Sequence, residues 1–401
     1  MVAQIRARRL LTEQGWLEHQ QLTFADGIIT AIEPIGDGRP ACDVELLVPA
    51  LIDGHVHGGA GVDVMDEAPD TLNKLSLVKA AEGVGAFLAT TVTAPLALIE
   101  RTLARIADGV QTGMPGAELL GCYLEGPYFT PENKGAHDPA LFRELNIAEL
   151  DGLQQCARGT LRVVALAPEK PHALEAIRHL SAAGVRVMLG HSAAGYDITR
   201  EALSAGAAGL VHCFNGMKGL HHREPGMAGA GLVHPFAWLE LIADGHHVHP
   251  SMLRLCDCCA RDRLLLITDA MRAAGMPDGH YLLGNYRVEM KAGVVRTEAG
   301  GLAGSTLNLL DAVRNMVHLA GVPLADAIQM ASLAPARMLG IADRLGSLAV
   351  GKQANLLALT PQLHQQHIWV AGRMIDPACF SALFSGCRVN HDNGAQESVC
   401  I

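Results

Sequence analysis

The sequence predicts an α/β protein, a (β/α)8 barrel with a small β-sandwich built from both ends of the chain. Eight apolar runs alternate with helix-like segments along most of the 401 residues, as expected of parallel strands that are buried on both faces. The length suits a barrel of roughly 250 residues plus a satellite domain. The number of runs alone leaves an open, doubly wound sheet as an alternative.

The eight runs set the order of the predicted barrel strands. They read "LLVPALIDGHVH", "AFLATTVT", "LLGCYLEGP", "TLRVVALAPE", "VRVMLGHS", "GLVHCFNG", "LELIADGHHV" and "LLLITDAM". The helix-like segments between them include Pro69–Gly83, Leu96–Gly109, His172–Ala183 and Pro250–Ala260. After the eighth run we expect a β-like insert, "YRVEMKAGVVRT", and two helices, Ser305–Ala320 and Pro323–Leu339.

Strand-like segments at the two chain ends predict a second, smaller domain. The N-terminal segment contains "LTFADGIITAIEPIGDG", and "GSLAVGKQANLLAL" and "HIWVAGRMI" follow the last predicted helix. We expect these segments to pair as a β-sandwich domain of residues 1–48 and 345–378, around a catalytic barrel of residues 49–344. Residues 379–401 lack periodicity and are predicted to be a flexible tail.

Composition narrows the functional classes. A formal net charge of −10 argues against a surface that binds nucleic acid or an anionic membrane, and no apolar run has the length of a membrane span. Ten cysteines without a visible signal peptide predict free thiols in a reducing compartment, hence a cytoplasmic protein. Cys256, Cys258 and Cys259 lack paired CxxC spacing and are predicted to be buried thiols rather than metal ligands.

Polar side chains end six of the eight apolar runs. In a barrel these ends meet at the C-terminal face, where such enzymes hold their active sites. Residues two apart on a strand point to the same side, so the paired histidines of the first run can grip one ion. The residues at the run ends are His55, His57, Glu125, His191, His212, His247 and Asp269.

Each of these residues also has an ordinary structural interpretation. A single histidine at a strand end is commonly a satisfied structural residue, Asp269 could cap a helix, and Glu125 could pair with Lys134 or Lys170. Core packing alone would instead place valine or leucine at these ends. The whole set therefore favours a metal site.

The residue types predict the ion and its chemistry. Imidazole and carboxylate ligands suit Zn2+, with Fe2+ or Mn2+ as alternatives. A catalytic ion with an open position lowers the pKa of bound water towards about 7. Asp269 would orient that water, take its proton and pass it to a leaving nitrogen. The sequence thus predicts metal-assisted hydrolysis.

Eight motifs in order resemble those of the N-acetylhexosamine-6-phosphate deacetylases of the amidohydrolase superfamily. They are "PALIDGHVHGG", "YLEGPYFTPENKGAH", "LGHSAA", "VHCFNGM", "HHREPG", "IADGHHVH", "LITDA" and "LAGSTL". The resemblance covers all but about the last twenty residues. "GGAGVDVMD", "GLHHREPGM" and "AGMPDG" are more similar to the N-acetylgalactosamine branch than to the N-acetylglucosamine branch.

The resemblance implies a role for each matching residue. It implies that the principal metal is bound by Glu125, His191 and His212, and that Asp269 is the catalytic acid and base. It implies substrate contacts from Ala136, His137, Asn215, Gly216, Arg223, His247 and a closing loop of Leu302, Ala303 and Gly304.

A phosphorylated amino sugar would need local positive charge in this acidic chain. No Walker-type loop is present, so the phosphate would depend on Arg223, His247 and backbone N–H groups of the Asn215–Gly216 turn. The resemblance implies that Arg223 can come from a neighbouring subunit, and therefore a homodimer.

Several alternatives stay open in the sequence. His55 and His57 make a second ion plausible, with Glu125 as the bridge rather than a carbamylated Lys170, so one or two ions fit. Other possibilities are the N-acetylglucosamine epimer as substrate, a dihydroorotase-like cyclic amide, or a non-catalytic scaffold. Arg223 and the retained metal-type residues speak against the last two.

Overall fold

The computed structural model describes residues 2–36 and 41–376, and the expected tail of residues 379–401 lies outside them. The strands are β1 (Val2–Thr12), β2 (Gly15–Ala25), β3 (Ile28–Pro34), β4 (Val44–Pro49), β5 (Leu51–Val56), β6 (Gly58–Gly59), β7 (Val62–Asp63), β8 (Val84–Thr90), β9 (Glu118–Glu125), β10 (Leu161–Leu166), β11 (Arg186–Leu189), β12 (Gly209–Leu210), β13 (Trp238–Ile242), β14 (Leu264–Ile267), β15 (Gly279–Leu283), β16 (Tyr286–Lys291), β17 (Val294–Thr297), β18 (Leu356–Leu359), β19 (Gln365–Val370) and β20 (Arg373–Met374).

The helices follow the barrel strands, as the alternating sequence pattern predicts. They are α1 (Thr71–Ala81), α2 (Leu96–Thr112), α3 (Ile147–Ala157), α4 (Ala173–Ala182), α5 (Tyr196–Ser204), α6 (Gly226–Val233), α7 (Pro250–Ala260), α8 (Leu309–Ala320), α9 (Leu324–Met330) and α10 (Leu333–Leu339), with 3-10 turns at Pro131–Asn133, Pro139–Leu141 and Arg261–Arg263. Among the described residues, no helix is both long and apolar enough to cross a membrane.

Eight strands form the barrel, in the order β14-β13-β12-β11-β10-β9-β8-β5. The strands that pair are parallel, and each of the eight apolar runs contributes one of them. The ring closes between β14 and β5, where the Asp269 N–H donates to the His55 carbonyl oxygen at 2.9 Å. The predicted barrel is confirmed, and the open sheet is excluded.

The small domain is one sheet that curls around its own core. Seven strands run in the order β20-β19-β18-β4-β1-β2-β3. The free edge of β3 pairs with the segment before β18, since the Ile29 N–H donates to the Lys352 carbonyl at 2.8 Å and the Gly351 N–H to the Ile29 carbonyl at 2.8 Å. Its core, which includes Leu22 and Leu356, is separate from that of the barrel. The strands come from both chain ends, as expected, and the proposed domain boundaries stay a prediction.

The predicted helix Pro323–Leu339 is wrong as a single element, because it is broken into α9 and α10. Pro335 has no N–H to donate to the Ala331 carbonyl four residues earlier, and its ring would clash with that carbonyl in a continuous helix. The Ala331 carbonyl instead accepts from the Ile52 N–H of β5 at 2.8 Å. The break therefore anchors α10 to the barrel, where Met338 packs against strand residues of the barrel interior.

Only one of the three clustered cysteines is buried, contrary to the prediction. On α7 the inward residues are Leu253, Cys256, Asp257 and Ala260, which follow the helical period of 3.6 residues. Cys258 and Cys259 fall on the opposite face and are exposed.

Candidate active site

Glu125 lies at the centre of a group of histidines at the C-terminal end of the barrel. Its Oε1 is 3.2 Å from Nε2 of His212, 3.4 Å from Nε2 of His191 and 3.6 Å from Nε2 of His55. Its Oε2 is 3.1 Å from Nε2 of His57. The strand ends thus bring together side chains from four separate parts of the sequence.

The histidines form two pairs that share this carboxylate. Nε2 of His191 and Nε2 of His212 are 3.1 Å apart, and the Nε2 atoms of His55 and His57 are 3.3 Å apart. The resulting groups, His55–His57–Glu125 and Glu125–His191–His212, each have the ligand atoms of a possible metal site within reach of one another.

Asp269 lies beside the His55–His57 pair. Its Oδ1 is 3.2 Å from Nε2 of His57 and 3.6 Å from Nε2 of His55. The side chain is not a helix cap, since Asp269 lies two residues after the end of β14 and the next element of the chain is strand β15. Nor is Glu125 paired with a lysine, because Lys170 bonds Glu144 at 3.2 Å and Lys134 bonds the Tyr286 hydroxyl at 3.2 Å.

Hydrogen bonds fix how the four clustered rings face Glu125. Each ring directs Nδ1 to an oxygen that can only accept, so in the neutral ring Nδ1 carries the proton and Nε2, which faces the centre, keeps its lone pair. The partners are Glu240 Oε2 at 3.1 Å for His55, the Thr90 carbonyl at 3.2 Å for His57, the Asn133 carbonyl at 2.9 Å for His191 and the Asn215 carbonyl at 3.1 Å for His212. This is the arrangement of metal-binding imidazoles.

His137 has the opposite arrangement. The Thr93 backbone N–H donates to Nδ1 of His137 at 3.3 Å, and the Thr93 hydroxyl lies 2.9 Å from the same atom. In the neutral ring the proton must therefore be on Nε2, which lies 3.6 Å from Glu125 Oε2. Burial and the charge of His191 lower the pKa of His137 to about 4. His137 is thus a neutral hydrogen-bond donor at pH 7.

The carboxylates make this cluster favourable for positive charge. Burial lowers the pKa of His57, but hydrogen bonds to Asp269 and Glu125 outweigh it and raise that pKa to about 9. For His55, burial is likewise outweighed by the charges of Glu125 and Glu240, and its pKa rises well above the usual value. Burial of Glu125 is outweighed by the charge of His55 and by hydrogen bonds from neighbouring rings, so its pKa falls well below its usual range.

Three of the clustered residues have left-handed backbone conformations. The φ angles are +46° for His191, +23° for His212 and +50° for Asp269. For residues other than glycine this region costs roughly 1–2 kcal/mol, although aspartate tolerates it better than most. Such strain persists only where surrounding contacts maintain it, and it concentrates at functional sites.

Above the cluster lies a cavity of about 250 Å³. Thirteen of the fifteen site residues that the sequence predicts line it. They are His57, Glu125, Ala136, His137, His191, His212, Asn215, Gly216, His247, Asp269, Leu302, Ala303 and Gly304. The other two lie elsewhere: His55 is fully buried beneath the cavity, and Arg223 is exposed on a loop, where it contacts His222 at 2.9 Å.

His247 lines the cavity and is held by the turn that precedes it. Its Nδ1 lies 2.6 Å from Asp244 Oδ2, and its backbone N–H donates to Asp244 Oδ1 at 2.8 Å. The imidazole is therefore fixed with Nε2 free to meet a ligand.

Two glycines allow the backbone to approach the His191 ring. A Cβ on Gly216, at φ +61°, would lie 3.0 Å from His191 Nδ1, and one on Gly135, at φ +56°, would lie 2.9 Å from His191 Cε1. Side chains at either position would displace the ring.

The sequence did not indicate the residues that hold the imidazoles or complete the cavity wall. Thr90 and Asn133 act through backbone carbonyls, which carry no side-chain signature. Glu240 could have been identified from the sequence, since it is a charged residue inside an apolar run that is expected to be buried on both faces. Val92 and Leu283 line the cavity as ordinary apolar residues.

The donor set fits a divalent cation. Ring nitrogens and carboxylate oxygens converge at 3.1–3.6 Å from one another, and a cation bound among them would replace the protons that the rings otherwise take up. Imidazole with carboxylate is the ligand chemistry of zinc, iron and manganese sites.

Comparison with known proteins identifies the family. The model of the amidohydrolase family matches residues 46–379. The chain belongs to the amidohydrolase family. Metal dependence is a property of this superfamily, and the His/Glu groups described above are candidates for the ligands.

Relatives within the amidohydrolase family match almost the whole chain. The N-acetylgalactosamine-6-phosphate deacetylase of Escherichia coli O157:H7 is 65% identical over 370 residues, 92% of this chain and 98% of the relative. The N-acetylglucosamine-6-phosphate deacetylase of Vibrio furnissii is 52% identical over 401 residues, 99% of this chain and 98% of that relative. The resemblance seen in the sequence is confirmed, including the greater similarity to the N-acetylgalactosamine branch.

A solved structure matches the fold closely. N-acetyl-D-glucosamine-6-phosphate deacetylase of Mycobacterium smegmatis, in complex with N-acetyl-D-glucosamine-6-phosphate, superposes with a TM-score of 0.88 at 33% identity, covering 93% of this chain and 99% of that one.

Proposed function

We propose that this amidohydrolase removes the acetyl group of an N-acetylhexosamine 6-phosphate, with N-acetylgalactosamine 6-phosphate as its preferred substrate. The products are acetate and the amino-sugar 6-phosphate. The observation that carries the proposal is the cluster of paired imidazoles, Glu125 and Asp269 at the floor of one cavity. The 65% identity to an N-acetylgalactosamine-6-phosphate deacetylase supports the choice of epimer, and N-acetylglucosamine 6-phosphate is the alternative.

Zn2+ is the proposed cofactor, with Fe2+ or Mn2+ as alternatives. Glu125, His191 and His212 would hold the principal ion, and His55 and His57 would share Glu125 with a second. A divalent cation held by these residues would supply polarisation of the amide carbonyl and a lowered pKa of water. The two histidine pairs on one carboxylate support two ions rather than one.

Asp269 is the proposed acid and base. Its carboxylate borders the cavity, and its pKa is held below the usual range, because hydrogen bonding from His57 and the charge of His55 outweigh the effect of burial. It is therefore ionised at neutral pH and can accept the proton of the attacking water. Asp269 then returns that proton to the amide nitrogen as the C–N bond breaks.

His137 is proposed to assist at the acetamide oxygen. Its protonated Nε2 faces the cavity, and its low pKa keeps the ring neutral, so it donates a hydrogen bond without competing for the cation. Such a donor stabilises the negative charge that develops on the carbonyl oxygen.

The remaining cavity residues are proposed to hold the sugar phosphate. His247 faces the cavity beside Asn215 and Gly216, while Ala136 and the Leu302–Gly304 segment form other parts of the wall. We assign the phosphate to His247 and to backbone N–H groups near Gly216.

The position of Arg223 supports a homodimer. Within its own subunit Arg223 lies on an exposed loop away from the cavity wall, and we propose that it reaches the phosphate in a partner subunit. We also propose that the enzyme acts in the cytoplasm, because its phosphorylated substrate cannot cross a membrane unaided.

Steady-state turnover of the two epimeric 6-phosphates, with Zn2+, Mn2+ and Fe2+ each supplied to metal-depleted enzyme, tests the proposal. We expect the galacto epimer to have the higher kcat/KM. Unphosphorylated N-acetylgalactosamine is the control, and its kcat/KM should be far lower than that of the 6-phosphate. A higher kcat/KM for the gluco epimer would favour the alternative substrate. Absence of acetate release from both phosphates would refute the function.

A further inference from the structure

Glu240 lies beneath the candidate metal site and outside the cavity. It belongs to β13, in the middle of the apolar run Trp238–Ile242, and only 1% of it is exposed. It does not line the cavity, so it cannot touch a substrate there. Burial of a carboxylate is unfavourable unless its contacts compensate, so packing alone would favour an apolar residue at this position.

One oxygen of Glu240 contacts both ligand groups. Oε2 lies 3.1 Å from Nδ1 of His55 and accepts the His212 backbone N–H at 3.3 Å. The carboxylate therefore connects a ring of the His55–His57–Glu125 group with the strained strand end that presents His212. The Tyr123 ring packs against His55, with the ring centroids 4.6 Å apart, and restricts the imidazole from another side.

The hydrogen-bond partner of Nδ1 in His55 differs in kind from the Nδ1 partners of the other clustered rings. His57, His191 and His212 direct Nδ1 to neutral backbone carbonyls, whereas His55 directs it to a carboxylate. A carboxylate behind a metal-binding histidine fixes the ring and makes its other nitrogen a stronger ligand, and removal of such a partner typically costs 10–100-fold in metal affinity.

We propose that Glu240 is a positioning residue that holds His55 as a ligand and thereby sets the affinity of the His55–His57–Glu125 group for a second divalent ion. The inference rests on the proposed function, since it assumes that the clustered rings bind metal. Its effect falls mainly on the second ion, because the Glu125–His191–His212 group keeps all three of its own ligands when Glu240 is changed.

Metal binding by the full-length protein tests the proposal without reference to turnover. We compare wild type, Glu240→Gln and Glu240→Leu, with Asp257→Asn as the control for loss of a buried carboxylate outside the site. Asp257 lies on the outer helix α7, is 2% exposed and pairs with Arg261 just beyond the end of that helix. Glutamine keeps an oxygen that accepts from His55, whereas leucine keeps only the bulk.

The measurements are equilibrium dialysis with Mn2+ followed by metal analysis, and electron paramagnetic resonance of the same samples. Wild type and Asp257→Asn should bind two ions with the spectrum of a coupled Mn2+ pair. Glu240→Leu should bind the second ion 10–100-fold more weakly and show isolated Mn2+ at limiting metal. Glu240→Gln should fall between, as partial rescue that a purely structural role would not give.

The possible failures are distinguishable. Two ions with unchanged affinity in both Glu240 variants, or a single ion in wild type, would overturn the role of Glu240 and leave the deacetylase proposal standing. A wild-type protein that binds no ion would overturn both. Thermal unfolding of the metal-free variants identifies any that fail to fold, in which case Glu240→Gln decides the outcome.

Discussion

Replacement of Asp269 by asparagine separates its proposed proton transfer from its contacts. The side chain keeps its size, and asparagine tolerates the φ of +50° at this position better than most residues. The backbone support is independent of the side chain, since the residue 269 N–H donates to the His55 carbonyl at 2.9 Å and its carbonyl accepts from the Ser305 N–H at 2.7 Å. The variant should therefore fold like the wild type.

The expected loss of kcat follows from the proposed role of Asp269 as acid and base. General acid and base catalysis contributes about 10²–10⁴-fold, which corresponds to about 3–5 kcal/mol in the barrier. Asparagine cannot take a proton from water, so kcat should fall by that factor while the dissociation constant of the sugar phosphate stays within about threefold. Single-turnover kinetics and equilibrium binding measure the two quantities separately.

Asp269→Ala provides the comparison for backbone strain. Alanine in the left-handed region should lower the free energy of unfolding by about 1 kcal/mol relative to asparagine, with a similar loss of kcat. Metal content is measured in both variants, because Asp269 lies 3.2 Å from Nε2 of His57. A metal-loaded Asp269→Asn enzyme with kcat within tenfold of wild type would refute the assignment.

Three further predictions follow from the same site. Gly216→Ala should weaken metal binding at least tenfold, because the new Cβ would lie 3.0 Å from the His191 ring. Gly321→Ala is the control, since Gly321 has a similar φ of +67° with open space around it, and its metal affinity should not change. Equal metal affinities in the two variants would contradict the prediction. His247→Gln should raise KM about tenfold or more with little change in kcat, and an unchanged KM would remove it from the phosphate site. Metal binding at pH 7 should release at least one proton, since the pKa of His57 is about 9 without the ion and a ligand ring must be neutral. Calorimetry of metal binding in two buffers of different ionisation enthalpy measures this release, and the same binding enthalpy in both buffers would contradict it.

The sequence predicted the barrel and the metal-type residues of the cavity from local patterns, whereas the other predicted wall residues, such as His137 and Asn215, came from the resemblance. A continuous apolar run marks a strand buried on both faces, and a polar residue at its end falls on a known face of a closed barrel. His191, His212 and Asp269 could be placed together on this basis alone, although they lie far apart in the chain.

What the sequence could not predict depends on contacts between residues that lie far apart in the chain. The break between α9 and α10 required the Ala331 carbonyl to find a partner in β5, which no local pattern reveals. The exposure of Cys258 was predictable from the helical period once the ends of α7 were known. The partner of His55 was not, because Glu240 is 185 residues away in the chain.

Anomalous X-ray diffraction from crystals of the metal-loaded protein, recorded on both sides of the zinc absorption edge, tests the central claim most directly. The account predicts an anomalous peak within about 2.0–2.2 Å of Glu125, His191 and His212, at the floor of the cavity. A peak bound elsewhere in the molecule, with these three side chains free of metal, would contradict it.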